Sequence, residues 1–229
     1  MTLAGPTDGV AQRLARLRDL IEAGGRDPAS VRIVGVTKGH PAEVCRVALD
    51  AGLTELGESY AQELVGKAGE PDLAGVRWHF VGGLQARRVR TVAGAVHLWQ
   101  SIDRPKLVAE VARWAPGARI LVQVALSDEP GRAGCAFSDV SALVAEAVGA
   151  GLQVEGLMGV GPGSGGPEGA RPAFRRLART AAELGLGTVS MGMSADVSVA
   201  LAEGATVVRV GTALFGPRTA RAAVRAWAP

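Results

Sequence analysis

The residue best placed for chemistry in this sequence is Lys38. It directly follows the apolar run 31–37, which is typical of a buried β-strand, and it precedes the strand-breaking sequence Gly39-His40-Pro41. The carboxyl end of a strand is where repeating β/α proteins bind their ligands. Because an amine in a partly desolvated site can form a Schiff base with an aldehyde, the sequence predicts a lysine able to hold a carbonyl compound.

Two segments near the end of the chain combine glycine with hydroxyl side chains, a pattern suited to binding an anion. After the seventh predicted strand, Gly192 allows close approach of the backbone and Ser194 stands just before a predicted helix. After the eighth, Gly211 and Thr212 follow Arg209. Loops at these two places in an α/β barrel often bind phosphate. Two simpler interpretations stay open, since Ser194 could only cap its helix and Gly211-Thr212 could be an ordinary strand exit.

Together, these features predict a ligand that carries both an aldehyde and a phosphate. In a closed barrel the eighth strand pairs with the first, so Lys38 and the two glycine-containing loops would be neighbours. Pyridoxal 5′-phosphate is the commonest cofactor with both groups, and proteins hold it as a lysine Schiff base. The residues therefore favour this cofactor.

The elements that must position these residues alternate regularly between strands and helices. Apolar residues at positions 10, 14, 17 and 21 predict an amphipathic leading helix within residues 1–25. Strands are predicted at 31–37, 54–58, 78–82, 96–101, 119–126, 153–159, 188–192 and 206–211. Helices are predicted at 42–51, 60–68, 85–93, 105–115, 139–149, 170–185, 195–203 and 217–227. Eight such β/α units predict an α/β protein, a single (β/α)8 TIM barrel domain over residues 1–229 with an extra N-terminal helix.

An open, doubly wound parallel sheet is the alternative architecture. It would normally carry a Gly-x-Gly-x-x-Gly turn after the first strand, where this chain has Lys38-Gly39-His40-Pro41. The glycine-rich segment 161–169 is predicted to be one long loop after the sixth strand, either a surface loop or a lid over the barrel mouth.

Composition excludes several other classes of protein. The net charge of +3 comes from arginines interspersed with 22 acidic residues, which does not predict nucleic-acid binding. No segment is apolar enough to cross a bilayer and no secretory leader is evident, so we expect a cytoplasmic protein without membrane contact. The two cysteines are expected to be buried thiols, and the three histidines lack metal-ligand spacing, so no metal is expected.

Seven segments of this chain resemble the signatures of the pyridoxal phosphate homeostasis protein family. They occur in order over residues 31 to 218: VTK at 36–38, LGESYAQE at 56–63, WHFVG at 78–82, LQ at 84–85, GLM at 156–158, SMGMSAD at 190–196 and VRVGTALFG at 208–216. The family is similar in fold to the barrel domain of bacterial alanine racemase and lacks that enzyme's C-terminal β domain. The resemblance implies a binding protein for pyridoxal 5′-phosphate.

The resemblance also implies a role for individual residues. Lys38 would form the Schiff base, and Arg209 would face the pyridine nitrogen. Because a guanidinium only donates hydrogen bonds, it would favour an unprotonated pyridine, which is a poor electron sink. The remaining predicted cofactor-binding residues are Ser194, Gly211 and Thr212 at the phosphate, Gly192 and Met193 in the same loop, and Ser59 and His79.

Two positions depart from the family pattern. Ser59 stands where the family usually has asparagine, and Gln85-Ala86-Arg87-Arg88 stands where it tends to have Gln-x-Asn-Lys. His79 is interpreted first as a hydrogen-bonded core histidine and second as a residue of the site.

Three functions remain open from the sequence. The first is a monomeric carrier that takes part in pyridoxal phosphate homeostasis and passes the cofactor to pyridoxal phosphate-dependent apoenzymes, without catalysis. The second is a small pyridoxal phosphate-dependent amino-acid racemase, although no second base obviously accompanies Lys38. The third is a phosphosugar barrel enzyme without a cofactor, which would be colourless.

Overall fold

The strands form a closed barrel in which each strand is parallel to its neighbours. The computed structural model describes residues 9–127, 132–162 and 164–217. Its strands, β1 to β8, are Arg32–Val36, Glu55–Glu58, Arg77–Phe80, Val96–Ile102, Arg119–Val124, Gln153–Gly159, Thr188–Ser190 and Val207–Val210. They are ordered β1 to β8 around the barrel, and β8 closes it against β1 with Val34 opposite Arg209. The closed barrel confirms the predicted fold class, and the doubly wound alternative is wrong.

Helices surround the barrel and connect successive strands. In chain order, α1 to α10 are Val10–Ala23, Ala42–Asp50, Ala61–Ala68, Val89–Val92, Pro105–Trp114, Val140–Gly149, Gly166–Gly169, Arg171–Glu183, Val197–Ala202 and Thr212–Phe215. The leading helix α1 buries Leu14, Leu17 and Ile21, because these residues share one helical face. None of the helices in the described part of the chain is both long and apolar enough to span a membrane.

The strands bury different kinds of side chain on their outward-facing and inward-facing sides. Outward-facing residues such as Phe80 and Trp99 pack with the helices in the main apolar core, which is continuous around the barrel. The barrel interior holds a much smaller apolar cluster of Leu98, Leu121 and Met158. Buried polar residues, among them His79 and Arg209, also belong to inward-facing positions. The barrel interior is thus a place where polar side chains meet each other.

Most predicted boundaries agree with the structure to within a few residues, and the differences are local. The predicted helix 85–93 is a 3-10 turn at Ala86–Arg88 followed by the single-turn helix α4. The predicted loop 161–169 contains the short helix α7. The predicted last helix at 217–227 lies almost wholly outside the described residues. Both cysteines are buried free thiols, as predicted.

Candidate functional site

A cavity of about 400 Å³ opens at the carboxyl ends of the strands. Val36, Val81 and Val160 supply its apolar wall. Its polar groups come from the strand β8 and from the turns after four different strands, and they are Lys38, His40, Ser59, Ser194, Arg209 and Thr212. Gly211 and Met193 also line it. The fold therefore brings most of the predicted site residues to one place, although they lie up to 174 positions apart in sequence.

Lys38 is the lysine that lines this cavity. The chain has three lysines, and the other two have different surroundings. Lys67 is buried on α3 and forms an ion pair with Glu58, whereas Lys106 is exposed at the start of α5. Lys38 is half-buried, so its amine is partly desolvated and still borders the cavity. That combination suits an amine that reacts with a carbonyl carbon.

The turn that carries Lys38 is held from behind by a buried polar cluster. Thr37 Oγ1 donates to Glu58 Oε1 at 2.6 Å, and Lys67 Nζ donates to the carbonyl oxygen of Thr37 at 2.8 Å. On the other side of Lys38, the Gly39 N–H donates to Glu63 Oε2 at 2.8 Å. These bonds fix the backbone on both sides of the lysine.

Glu58 is the buried acidic residue of that cluster, and Thr37 and Lys67 both donate to it. It is fully buried, and burial raises its pKa to about 7 although Lys67 and Thr37 oppose the shift. Its second oxygen, Oε2, is buried without a hydrogen-bond partner among the described residues. The negative charge of Glu58 is therefore balanced by Lys67, because a buried charge without a partner is costly.

The loops after β7 and β8 are joined by the Ser194 hydroxyl. Ser194 Oγ accepts a hydrogen bond of 3.2 Å from the Ala213 N–H, which belongs to α10. Helix α9 begins only at Val197, so the alternative that Ser194 caps this helix is wrong. Both Ser194 and Thr212 border the cavity, and each brings a hydroxyl group that can donate or accept a hydrogen bond there.

Backbone geometry explains the glycine and the aspartate of the loop after β7. Gly192 has φ +90°, and a Cβ at this position would lie 2.5 Å from Ala200 Cβ. The Met193 N–H donates to Asp196 Oδ1 at 2.6 Å, which closes the turn. Only glycine therefore fits at position 192, and the hydrogen bond to Asp196 stabilises the turn.

Arg209 contributes a buried cation to the cavity. Its guanidinium donates to Ser190 Oγ at 2.7 Å and to the carbonyl oxygen of Gly159 at 2.8 Å. Burial lowers its pKa to about 10, and the nearby Asp196 acts in the opposite direction. At neutral pH it stays charged, and those two bonds use two of its five N–H groups. It is therefore a donor for an acceptor inside the cavity.

Two predicted residues do not line the cavity. Gly192 shapes the loop from behind, as its contact with Ala200 shows. His79 lies inside the barrel, fully buried between Glu55 and Gln100. The interpretation of His79 as a hydrogen-bonded core residue is confirmed.

Sequence reasoning did not select several residues that matter to the site. His40 lines the cavity, and its ring packs 5.9 Å from that of Phe215. Its place beside Lys38, in the same turn, was the available signal. For Asp196, the signal was its position two residues after Ser194 in a glycine-containing turn. The Ser59 turn packs tightly against Gly82, where a Cβ would lie 2.3 Å from the Ser59 carbonyl oxygen. No sequence pattern indicated that contact.

Comparison with known proteins shows close relatives over almost the whole chain. Residues 8–219 match the family model described as "Alanine racemase, N-terminal domain". The chain is 39% identical over 219 residues to the pyridoxal phosphate homeostasis protein of Pseudomonas aeruginosa, covering 92% of this chain and 95% of that protein. It is 33% identical over 230 residues to the protein of the same name from Escherichia coli K12, covering 91% and 97%.

A solved structure shows the same likeness. PipY of Synechococcus elongatus PCC7942, solved with pyridoxal phosphate bound, superimposes with a TM-score of 0.80 at 33% sequence identity. The match covers 90% of this chain and 100% of that chain.

Proposed function

This chain belongs to the alanine racemase N-terminal-domain family and, within it, to the pyridoxal phosphate homeostasis proteins, and from that premise we propose that it binds pyridoxal 5′-phosphate and takes part in the homeostasis of this cofactor. Its role is to hold and release the cofactor. Catalytic turnover is not part of the proposal.

The chemistry of the cavity fits this cofactor. Pyridoxal 5′-phosphate supplies an aldehyde carbon, which condenses with a primary amine so that a C=N bond forms and water leaves. The cavity offers one such amine, Lys38, and hydroxyls from Ser194 and Thr212 for the phosphate. Arg209 offers a charged donor for the pyridine nitrogen, and the valine side chains offer an apolar surface for the ring.

Each residue has a distinct part in the proposed binding. Lys38 forms the Schiff base, while Ser194, Thr212 and the backbone at Gly211 bind the phosphate. Gly192 and Met193 set the path of the loop, and Ser59 borders the ring. Arg209 donates to the pyridine nitrogen and, as a permanent donor, disfavours protonation of that nitrogen. The cofactor would be held while its capacity to stabilise a carbanion stays low.

The observation that carries the proposal is the meeting of Lys38, Ser194, Arg209 and Thr212 in one cavity. The test is the visible spectrum of the purified protein with added pyridoxal phosphate, before and after hydroxylamine. We expect a protein-bound absorbance that hydroxylamine abolishes, because hydroxylamine takes the aldehyde from the lysine. A protein that stays colourless and binds no cofactor would refute the proposal and favour a cofactor-free barrel.

Amino-acid racemisation is the second candidate, since the family model is that of an alanine racemase domain. Racemisation requires proton exchange on both faces of the substrate. Tyr60, the single tyrosine, is 40% exposed and is not among the described residues that line the cavity. Formation of D-alanine from L-alanine by the loaded protein, well above the rate of free cofactor, would favour the racemase.

Delivery to other enzymes completes the proposal. A monomeric carrier would transfer pyridoxal phosphate to a pyridoxal phosphate-dependent apoenzyme faster than the free cofactor binds at the same total concentration. The measurement is the recovery of the apoenzyme's activity after mixing with the loaded protein. Recovery no faster than with free cofactor would restrict the function to storage.

A further inference from the structure

A continuous chain of hydrogen bonds runs from Arg209 through the barrel interior. Arg209 Nη1 lies 2.7 Å from Ser190 Oγ, and Ser190 Oγ lies 2.7 Å from Gln100 Oε1. Gln100 Nε2 lies 2.7 Å from His79 Nδ1, and His79 Nε2 lies 2.5 Å from Glu55 Oε2. All five side chains belong to buried residues of five different strands.

The chemistry of Arg209 dictates the direction of every bond in this chain. A guanidinium has no acceptor, so Arg209 must donate to Ser190. The Ser190 hydroxyl has a single proton, which it donates to Gln100 Oε1. The Gln100 amide is then oriented with its NH2 group toward His79, where it must find an acceptor.

The same logic fixes the state of the histidine. His79 Nδ1 must be unprotonated to accept from Gln100, so the proton sits on Nε2 and is donated to the Glu55 carboxylate. Burial lowers the pKa of His79 against the opposing effect of Glu55, which agrees with a neutral ring. Burial of Glu55 would raise its pKa, but hydrogen bonds from His79 and Arg77, together with the charge of Arg77, lower it overall.

The two ends of the chain carry opposite charges. The cation, Arg209, borders the candidate cofactor cavity, and the anion, Glu55, is also bonded to Arg77 at the other end of the barrel. Among the described residues, no carboxylate accepts a hydrogen bond from Arg209. The neutral side chains between them align their dipoles so that each donor points away from the cavity.

We propose that Ser190, Gln100, His79 and Glu55 are positioning residues that act through Arg209, fixing its guanidinium as a donor to the cofactor's pyridine nitrogen. This inference rests on the proposed function. Nη1 of the guanidinium is bonded to Ser190 and Nη2 to Gly159, and these two bonds restrain the orientation of the side chain. Without Ser190 or Gln100, the guanidinium would lose that restraint and the pyridine nitrogen would lose its fixed donor.

The direct test compares Ser190→Ala and Gln100→Leu with wild type, using pyridoxal phosphate labelled with 15N in the ring. We expect an unprotonated, hydrogen-bonded ring nitrogen in wild type at neutral pH. Both variants should shift the 15N resonance and weaken cofactor binding about tenfold, while keeping the attachment to Lys38. A ring nitrogen resonance and affinity unchanged in both folded variants would overturn the proposal.

Ser101→Ala is the matched control. Ser101 is also a buried serine of the barrel strands, but its Oγ has no hydrogen-bond partner among the described residues. It should change neither the ring nitrogen resonance nor the affinity. An equal effect from Ser101→Ala would attribute the result to general loosening of the barrel and would overturn the specific role of Ser190.

The cofactor-free protein provides a test that does not depend on the proposed function. With only three histidines, the imidazole 15N resonances of His79 can be assigned. We expect the Nε2-protonated tautomer at neutral pH, and a change of its Nδ1 resonance in Gln100→Leu. An imidazolium or an Nδ1-protonated ring would overturn the chain even if the protein binds pyridoxal phosphate. Conversely, failure to bind pyridoxal phosphate with this tautomer present would refute the proposed function, and with it the role of Arg209 toward the pyridine nitrogen, but not the hydrogen-bond chain itself.

Discussion

Lys67 Nζ donates a hydrogen bond of 2.8 Å to the carbonyl oxygen of Thr37, the residue that immediately precedes Lys38. The same ammonium group forms the buried ion pair with Glu58. Lys67 thus stabilises the backbone next to Lys38, although the two lysines have different roles. Lys67 is engaged in structure, whereas Lys38 borders the cavity.

Lys67→Met should destabilise the protein by about 3–5 kcal/mol, because it leaves the Glu58 carboxylate buried without its cation. The loss should depend on pH. An acid with a raised folded-state pKa favours folding at low pH and loses that contribution as pH rises through its folded pKa, here about 7 in the wild type. The variant should therefore be nearest to wild type at acidic pH, where Glu58 is protonated, and worst above neutrality.

Urea unfolding at acidic and at alkaline pH measures this difference. The double variant Lys67→Met/Glu58→Gln should recover most of the lost stability, since no charge is then buried alone. The exposed Lys106→Met should change stability by less than about 0.5 kcal/mol. A loss in Lys67→Met that is the same at both pH values, or that persists in the double variant, would argue against a charged Glu58 as its cause.

Replacing either hydroxyl of the proposed phosphate site should weaken cofactor binding. Ser194→Ala and Thr212→Ala should each cost about 1–3 kcal/mol in the binding of pyridoxal phosphate, because a charged phosphate loses a hydrogen bond. Binding of pyridoxal, which lacks the phosphate, should be nearly unaffected. Ser138→Ala, at an exposed serine of the 3-10 turn before α6, is the control and should bind both compounds normally.

Titration of each variant with the two compounds separates phosphate binding from other effects. If both variants lose equal affinity for pyridoxal and for pyridoxal phosphate, the hydroxyls act on the shape of the cavity. If neither variant loses affinity for pyridoxal phosphate, the phosphate does not bind between these two turns.

Gly192→Ala should destabilise the protein by about 1–3 kcal/mol, since a side chain at φ +90° is strained and meets Ala200. The backbone N–H of Arg209 donates to the Gly192 carbonyl oxygen at 3.0 Å, so a shift of this loop should weaken cofactor binding as well.

Gly66→Ala is the contrasting variant. Gly66 lies exposed within α3 with open space at its Cβ position, and this change should stabilise by about 0.5–1 kcal/mol. Thermal unfolding of both variants provides the test, and a Gly192→Ala protein as stable as wild type would contradict the strain argument.

The strands and the turns at their carboxyl ends could largely be predicted from the sequence. Apolar runs ending in a polar or glycine-containing turn placed Lys38, Ser194 and Thr212 at the same end of the barrel, because parallel strands end on one side. The prediction of a helix at 85–93 agrees less well with the structure. Its segment begins with Gln85 and has two adjacent arginines at 87–88, and the structure starts it with a 3-10 turn.

The interactions inside the barrel could not be predicted, because they depend on how strands distant in sequence meet. Ser190 and Gln100 are 90 residues apart, and their bond exists only once the barrel has closed. The Ser194 contact with Ala213 likewise depends on the pairing of the last strands. A period-two pattern predicts which residues point inward but does not say which of them touch.

The attachment point of the cofactor is the most direct measure of the proposed function. Borohydride adds hydride to the carbon of the C=N bond and converts it to a stable secondary amine, so peptide mapping can locate the modified lysine. We predict the label on Lys38 alone, and its loss in a folded Lys38→Ala variant whose circular dichroism matches wild type. A label on Lys67 or Lys106, or a label that survives in Lys38→Ala, would contradict the assignment of Lys38 and the function built on it.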